Sequence, residues 1–375
     1  MIRIPGRLRL MLTLLITLLL AALMVPSATA AAAVSSTPLP SWSVNGRVYA
    51  TEIVGDTVYV GGKFTSATSP SGQVVARRNL AAFSVTTGEL RADFRANAGS
   101  TVRALVSDGS SLYVGGHFGR INGVSRPWLA KLALQTGAVD TSFQADPNGA
   151  VLGLDVQSGW LYAGGTFTTV RGEQHVRLAK VQVTTGVPQS TFTGSADAAV
   201  RAIVKSPTTD QLYAAGSFSS LSGSPRTGVG AVYASSGAVT GTVFRSSVRP
   251  TLGLAISDDG TQLFGAQGAS RNSAIAWSAL SGTEQWSVPT DGDIQAIEYH
   301  LGLVYFGFHD GYQGDTRIRL LRATAATGAV DTGFTPYFDL FWGVFTISVT
   351  DAGVVAGGEF TKVSGVPAQG IVRFR

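Results

Sequence analysis

LYVGGHF, at residues 112–118, is rewritten along the chain as VYVGGKF (58–64), LYAGGTF (161–167), LYAAGSF (212–218) and VVAGGEF (354–360). The copies recur about every fifty residues, and self-similarity at such a period marks a repeat architecture. Around each copy the unit runs in one order: an aromatic anchor, an alternating apolar stretch, a polar turn, the Gly-Gly phrase, a loop, a second apolar stretch and a Thr/Ser-Gly turn. The anchors Trp42, Phe94, Phe143, Phe192, Phe244, Trp286 and Phe334 mark the starts of seven units.

Within a unit the hydrophobic period is two rather than 3.6. VRALV, LYVGG, LAKLAL and VDTSF are short, rich in β-branched and aromatic residues, and bounded by Gly, Asp, Asn and Ser, which reads as four strands. Four-stranded units repeated around an axis make a β-propeller. The chain is therefore expected to be all-β: a seven-bladed β-propeller of four-stranded antiparallel blades over residues 38–375. The ends agree with a closed ring. The last unit stops at GIVRFR (370–375), one strand short, while PLPSW (38–42) precedes the first unit as a spare strand. An N-terminal strand completing the last blade would leave no long edge exposed.

Glycine inside a strand costs roughly 0.5–1 kcal/mol relative to alanine, so repeated pairs need an offsetting gain. Close backbone approach or a β-bulge beside the following Phe would supply it. Phe64, Phe118, Phe167, Phe218 and Phe360 should then pack between adjacent blades. The phrase is not a phosphate loop, because neither Gly-Lys-Ser/Thr nor a helical pattern follows.

The pattern YVGGxF…NGVSRxxLAxLxxxTGAVDxSF, seen at 113–143, resembles the delta-60 repeat of secreted bacterial β-propeller proteins. The resemblance covers residues 42–375, is most specific in units one to three and is eroded in units five and six. It implies a propeller fold and an exported or surface location. It carries no catalytic residue set.

Composition agrees with a large folded domain: 375 residues, 45% hydrophobic, 14% charged. With no Cys, disulfides, thiolate metal sites and a Cys nucleophile are excluded. Arg3, Arg7 and Arg9 precede an apolar run ending at Val25, and Ala28 and Ala30 fill the positions of a cleavage site. Residues 1–30 read as a signal peptide, since the run is shorter than a membrane span, and 31–37 as a flexible linker. The mature chain should be secreted or surface-associated, with no membrane span. Cleavage removes three Arg and no acid, lowering the formal charge from +5 to +2. No Lys/Arg run remains, so nucleic acid is not an expected partner.

Features common to every blade serve the blade, and a binding site is better sought where blades differ. An Arg precedes the third strand in most units: Arg78, Arg126, Arg177, Arg226, Arg271 and Arg317. It can form a cationic ring or brace its own loop, and recurrence favours bracing. The pattern breaks at VYFGFHDGYQGDTR (304–317) and FTPYFDLFWGVF (334–345), loops expected on one face. His309, Asp310, Tyr312, Asp315, Tyr337, Asp339 and Trp342 are the ligand-binding candidates. Exposed aromatic rings beside carboxylates suit a sugar, whereas Phe338, Phe341 and Phe345 can equally be core. Asp310 and Asp315 offer oxygen ligands for Ca²⁺, without the spacing of an EF-hand; no other cofactor or metal is expected. No H-E-x-x-H, G-x-S-x-G or Walker motif occurs. The leading expectation is a non-catalytic binding or scaffold module for a glycan or surface protein. The alternative is an extracellular glycan-acting enzyme using two of Asp310, Asp315 and Asp339, with carboxyls roughly 5–9.5 Å apart.

Overall fold

The second repeat shows how each unit folds. Its apolar stretches form Val102–Ser107, Ser111–Gly116 and Leu129–Ala133, paired antiparallel in that order. In the turn between the first two, Asp108 Oδ1 accepts the backbone N–H groups of Ser110 (2.9 Å) and Ser111 (2.8 Å). This local bonding is what makes a short Asp-Gly-Ser stretch reverse the chain. The computed structural model describes residues 34–375, and within them seven such meanders follow one another. The signal-peptide reading at 1–30 lies outside the described residues.

The expected fourth strand is realised in the fifth meander alone, where Glu284–Pro289 pairs with Ser273–Ser278. In five others the segment after the Gly turn touches its neighbour by one isolated bridge, as at Leu132–Val139 and Ala323–Val330. In two of them an Asp bonds forward beside the bridge: Asp140 accepts the N–H of Ser142 (2.9 Å), and Asp331 that of Gly333 (2.8 Å), which turns the chain out of the ladder there.

The first strands of the meanders lie side by side, and that of the last also neighbours that of the first. Seven apolar clusters sit between consecutive sheets. Phe118 packs among residues of the first and second sheets, Phe167 of the second and third, Phe218 of the third and fourth. Phe360 and Phe64 do so on either side of the last sheet. The result is an all-β propeller around a central channel, and the Phe of the repeated phrase is its inter-blade filler. The N-terminal segment joins the last sheet: Leu39 bridges Arg373, and Ser35 N–H donates to the Arg375 carbonyl (3.1 Å). Arg373, 5% exposed, donates from its guanidinium to the carbonyls of Pro40 (2.6 Å), Val85 (2.5 Å) and Thr86 (2.9 Å). One buried cation thus ties the N-terminal segment, the last sheet and the first.

The Gly-Gly phrase faces a β-bulge in every sheet that carries it. Val102 pairs with Gly116 and Ala104 with Gly115, so Arg103 between them is left out of the ladder. A Cβ on Gly115 would meet Val151 Cγ1 of the next sheet at 2.8 Å, and one on Gly116 would collide with the Thr101 carbonyl oxygen. The first Gly therefore lets neighbouring sheets approach, and the second accommodates the bulged strand. Units five and six keep the bulge with Gln267 and Phe308 in place of the second Gly.

Candidate functional site at the channel mouth

A bulge throws one residue out of each inner strand, and all seven point to the same place. The register shifts skip Tyr49, Arg103, Leu152, Arg201, Leu252, Gln295 and Phe345. These seven, with Arg47 and Trp342, line a cavity of about 310 Å³ at one end of the channel. The repeat that builds the fold therefore also builds a ring of variable side chains about its axis.

The ring is aromatic on one side. Tyr49 and Phe345 lie 5.2 Å apart between centroids, and Trp342 stands above them, 42% exposed. Trp342 is held from beneath: it meets His309 edge-on at 5.6 Å and Phe341 at 5.1 Å. Gln295, with its amide turned to satisfy both groups, donates to the carbonyls of Trp342 (3.0 Å) and Val344 (3.2 Å). Arg103 lies over the Tyr49 ring at 4.3 Å. Burial holds its guanidinium below the ordinary range, against Tyr49, which acts in the opposite sense, and the charge of Arg201 adds a smaller lowering. Arg201 reaches only Ser217 Oγ, at 3.5 Å. Arg47 differs from both, being paired with Glu359 at 2.9 Å.

Three residues further along the inner strands the channel changes character. Glu52, Asp155 and Glu298 line it there, interleaved with Val204, Ala255 and Ser348. Burial pushes Glu52 up to about 8, against the Ser107 N–H that donates to it at 3.0 Å. Glu298 is pushed up to about 7 by burial. Asp155 is also raised by burial, although it accepts the N–H groups of Val156 (2.7 Å) and Lys205 (2.5 Å). The channel thus offers guanidinium groups at its mouth and carboxyl groups below.

The residues expected from the sequence separate into three groups. Trp342 reaches the cavity, with His309 as its support. His309 Nε2 accepts the Asp293 N–H (3.3 Å), which leaves Nδ1 to donate to Asp310 (3.0 Å); Asp310 therefore orients the imidazole. Tyr337, Tyr312 and Asp315 belong to a separate cluster. There Arg317 pairs with Asp315 (2.7 Å) and stacks over Tyr337 (4.3 Å), and Tyr312 is bonded through its backbone to Asp315 and half-buried against the sixth sheet. Asp315 is held at about 2 by Arg317.

Asp339 is a brace. It accepts the Thr361 N–H (2.8 Å) and hydroxyl, as Asn45 does for Thr65 and Ser66, Asn148 for Thr168 and Thr169, and Asp197 for Ser219 and Ser220. Its hydrogen bonds to Thr361 outweigh a burial penalty and hold its carboxyl below the usual range. Each of the three acids assigned to glycan chemistry is thus engaged by a neighbour: Asp310 by His309, Asp315 by Arg317, Asp339 by Thr361. Phe338 is core, at 3% exposed, but Phe341 and Phe345 are not, since Phe341 is 49% exposed and Phe345 lines the cavity. Among the described residues no group of three or more His, Cys, Asp or Glu is arranged to hold a metal ion.

The loop arginines brace, as their recurrence implied. Arg126 donates to the carbonyls of Ser125 (2.7 Å) and Thr141 (2.8 Å), and Arg226 to those of Pro225 (2.8 Å) and Thr240 (2.9 Å). In the first unit the equivalent brace is Arg77, bonded to Ala76 (2.9 Å) and Ala92 (3.3 Å), and not Arg78. Among the three arginines that line the cavity, the bulged Arg103 and Arg201 lack the carboxylate partner that Arg47 has, and the motif reading did not single them out.

Comparison with known proteins agrees on the fold. Residues 107–143 match the model of a family described as a domain of unknown function (DUF5122) beta-propeller. No curated protein matches the chain. Among solved structures it is similar to the WD40 beta propeller domain of Doa1, at 13% identity and TM-score 0.58, over 91% of this chain and 95% of that one. It is also similar to the computationally designed Ika8 protein, at 15% identity and TM-score 0.53, over 88% of this chain and 98% of that one. At such identities the likeness concerns the fold alone. Among the described residues no helix is long and apolar enough to cross a membrane.

Proposed function

We propose that the protein is a secreted, seven-bladed propeller that binds a glycan at its channel mouth without transforming it. The observation that carries this reading is Trp342: a large aromatic ring, exposed and buttressed, standing over a cavity already walled by Tyr49 and Phe345. Such rings stack on the apolar C–H faces of sugars, while Gln295 and the arginines offer polar contacts. The acids on the same loops are committed to His309, Arg317 and Thr361, which favours binding over hydrolysis. Export is supported by the N-terminal segment and by the resemblance to secreted repeat proteins.

A surface protein is the second reading. It is favoured by the contiguous exposure of Leu340, Phe341 and Trp342, an apolar edge that a polypeptide could cover.

The test is binding of the purified chain to a panel of polysaccharides, with Trp342→Ala in parallel. Binding to one polymer class that falls at least about tenfold in Trp342→Ala, as the loss of a stacking anchor implies, supports the glycan reading. Equal binding by both forms removes the channel mouth as the site. No polysaccharide binding, with capture of a protein partner that depends on Trp342, moves the assignment to the second reading.

A further inference from the structure

Arg103 and Arg201 are the two cavity-lining side chains whose positive charge a neutral glycan would leave unmatched. Both are half-buried and both are the bulged residues of their strands, so the backbone itself aims them at the axis. Among the described residues no carboxylate forms an ion pair with either, whereas the neighbouring Arg47 is matched by Glu359. Each guanidinium has its fork of donors free, apart from one long contact between Arg201 and Ser217. The two also act unfavourably on each other, since the charge of Arg201 disfavours the cation at Arg103.

Two converging cations in a partly enclosed cavity are costly unless an anion joins them. A propeller could fill both positions with Leu, as it does at Leu152 and Leu252. Guanidinium groups match oxyanions through paired N–H donors, and a cavity with low-dielectric walls focuses their field on whatever enters.

We propose that Arg103 and Arg201 form an oxyanion-recognition site, so that the sugar entering the channel mouth carries a carboxylate or sulfate group. This rests on the glycan reading: the sugar ring lies against Tyr49, Phe345 and Trp342, and its charged group points across the cavity to the two arginines. Tyr49 serves both parts, because Arg103 already stacks on it at 4.3 Å.

The experiment is calorimetric binding of matched pairs: oligogalacturonate against neutral galacto-oligosaccharide, and glucose 6-sulfate against glucose. The wild-type chain is compared with Arg103→Gln, Arg201→Gln, Trp342→Ala and Arg120→Gln. Arg120 is exposed on a two-residue strand and its side chain bonds only the Gly123 carbonyl, so its loss reports bulk charge alone. The charged member of at least one pair should bind about tenfold or more tightly than its neutral partner. Arg103→Gln and Arg201→Gln should each cut that affinity about tenfold or more, with neutral binding and Arg120→Gln unchanged. Preference in the first pair identifies a carboxylate, and in the second a sulfate.

If Arg103→Gln unfolds for want of its stacking partner, Arg103→Lys replaces it, keeping the charge but not the fork, with a similar loss expected. The proposal is overturned if no charged sugar is preferred, or if Arg120→Gln weakens binding as much as the cavity variants do. Neutral and charged sugars binding equally, and both failing in Trp342→Ala, would sink the oxyanion site while leaving the glycan reading intact. Loss confined to the arginine variants, with Trp342→Ala unaffected, would sink the aromatic platform and keep the anion site.

Discussion

Replacing Glu52 by Gln should stabilise the protein at alkaline pH and leave it unchanged in mild acid. In the fold the carboxyl is held at about 8 against an ordinary 4.5, chiefly by burial in the channel wall and also by Glu298 and Asp155 nearby. Between those values the folded chain keeps a proton that the unfolded chain has released. Folded protein then binds more protons than unfolded, so stability falls as pH rises through this window. At about 1.36 kcal/mol per pH unit the ceiling is about 5 kcal/mol. The side chain faces a channel that water enters, which screens much of the penalty, and about 2 kcal/mol is the expected loss. Gln keeps the oxygen that accepts the Ser107 N–H and cannot ionise. Urea unfolding at about pH 5 and about pH 8.5 reads the effect: the wild type should lose about 2 kcal/mol more than Glu52→Gln across that interval. Parallel pH curves for the two proteins would show that the carboxyl titrates as it does in water, and the description of the channel wall would be wrong.

The Gly-Gly phrase makes its own prediction. Gly116→Ala must displace the Thr101 carbonyl, and should cost about 1–3 kcal/mol in urea unfolding; a change within about 0.5 kcal/mol would refute the close approach. Arg373→Met leaves the carbonyls of Pro40, Val85 and Thr86 without their donor, for a loss of about 3 kcal/mol. Limited proteolysis of that variant should release the segment around Leu39 first, and an unaltered cleavage pattern would count against the tie.

The fold was readable because each blade is one supersecondary unit written repeatedly. The anchors and the period-two strands have their expected places, the N-terminal segment meets the last sheet by one isolated bridge at Leu39 rather than as a strand, and the Phe after Gly-Gly lies between sheets in each repeat that carries it. The fourth strand was overcounted for a local reason. VDTSF has the composition of a strand, but its Asp140 bonds forward to Ser142 and ends the ladder after one bridge. The bracing role of Asp339 was also missed for a local reason. Read alone, it is an exposed acid in an aromatic loop; aligned with Asn45, Asn148 and Asp197, it is the brace that joins one blade's entry loop to the next hairpin.

The channel mouth was hidden by the same device that builds it. Strict alternation puts Tyr49 and Glu52 on opposite faces of their strand, as it does Gln295 and Glu298, because each pair is three residues apart. The bulge inserts one unpaired residue between Val48 and Ala50, and another between Ile294 and Ala296, so both members of each pair end up lining the channel. The chemical signal was nevertheless present. When the inner strands are aligned on Val48, Val102, Val151, Val200, Thr251, Ile294 and Val344, the next position holds Tyr, Arg, Leu, Arg, Leu, Gln and Phe. Its neighbours on either side are apolar or small in nearly every unit. A position that must suit the blade would not vary so widely in charge and size within one chain. Variation there, amid repeats kept uniform by packing, is what a ring of side chains facing one asymmetric ligand would produce, and the two arginines in that ring are where its charge preference should be sought.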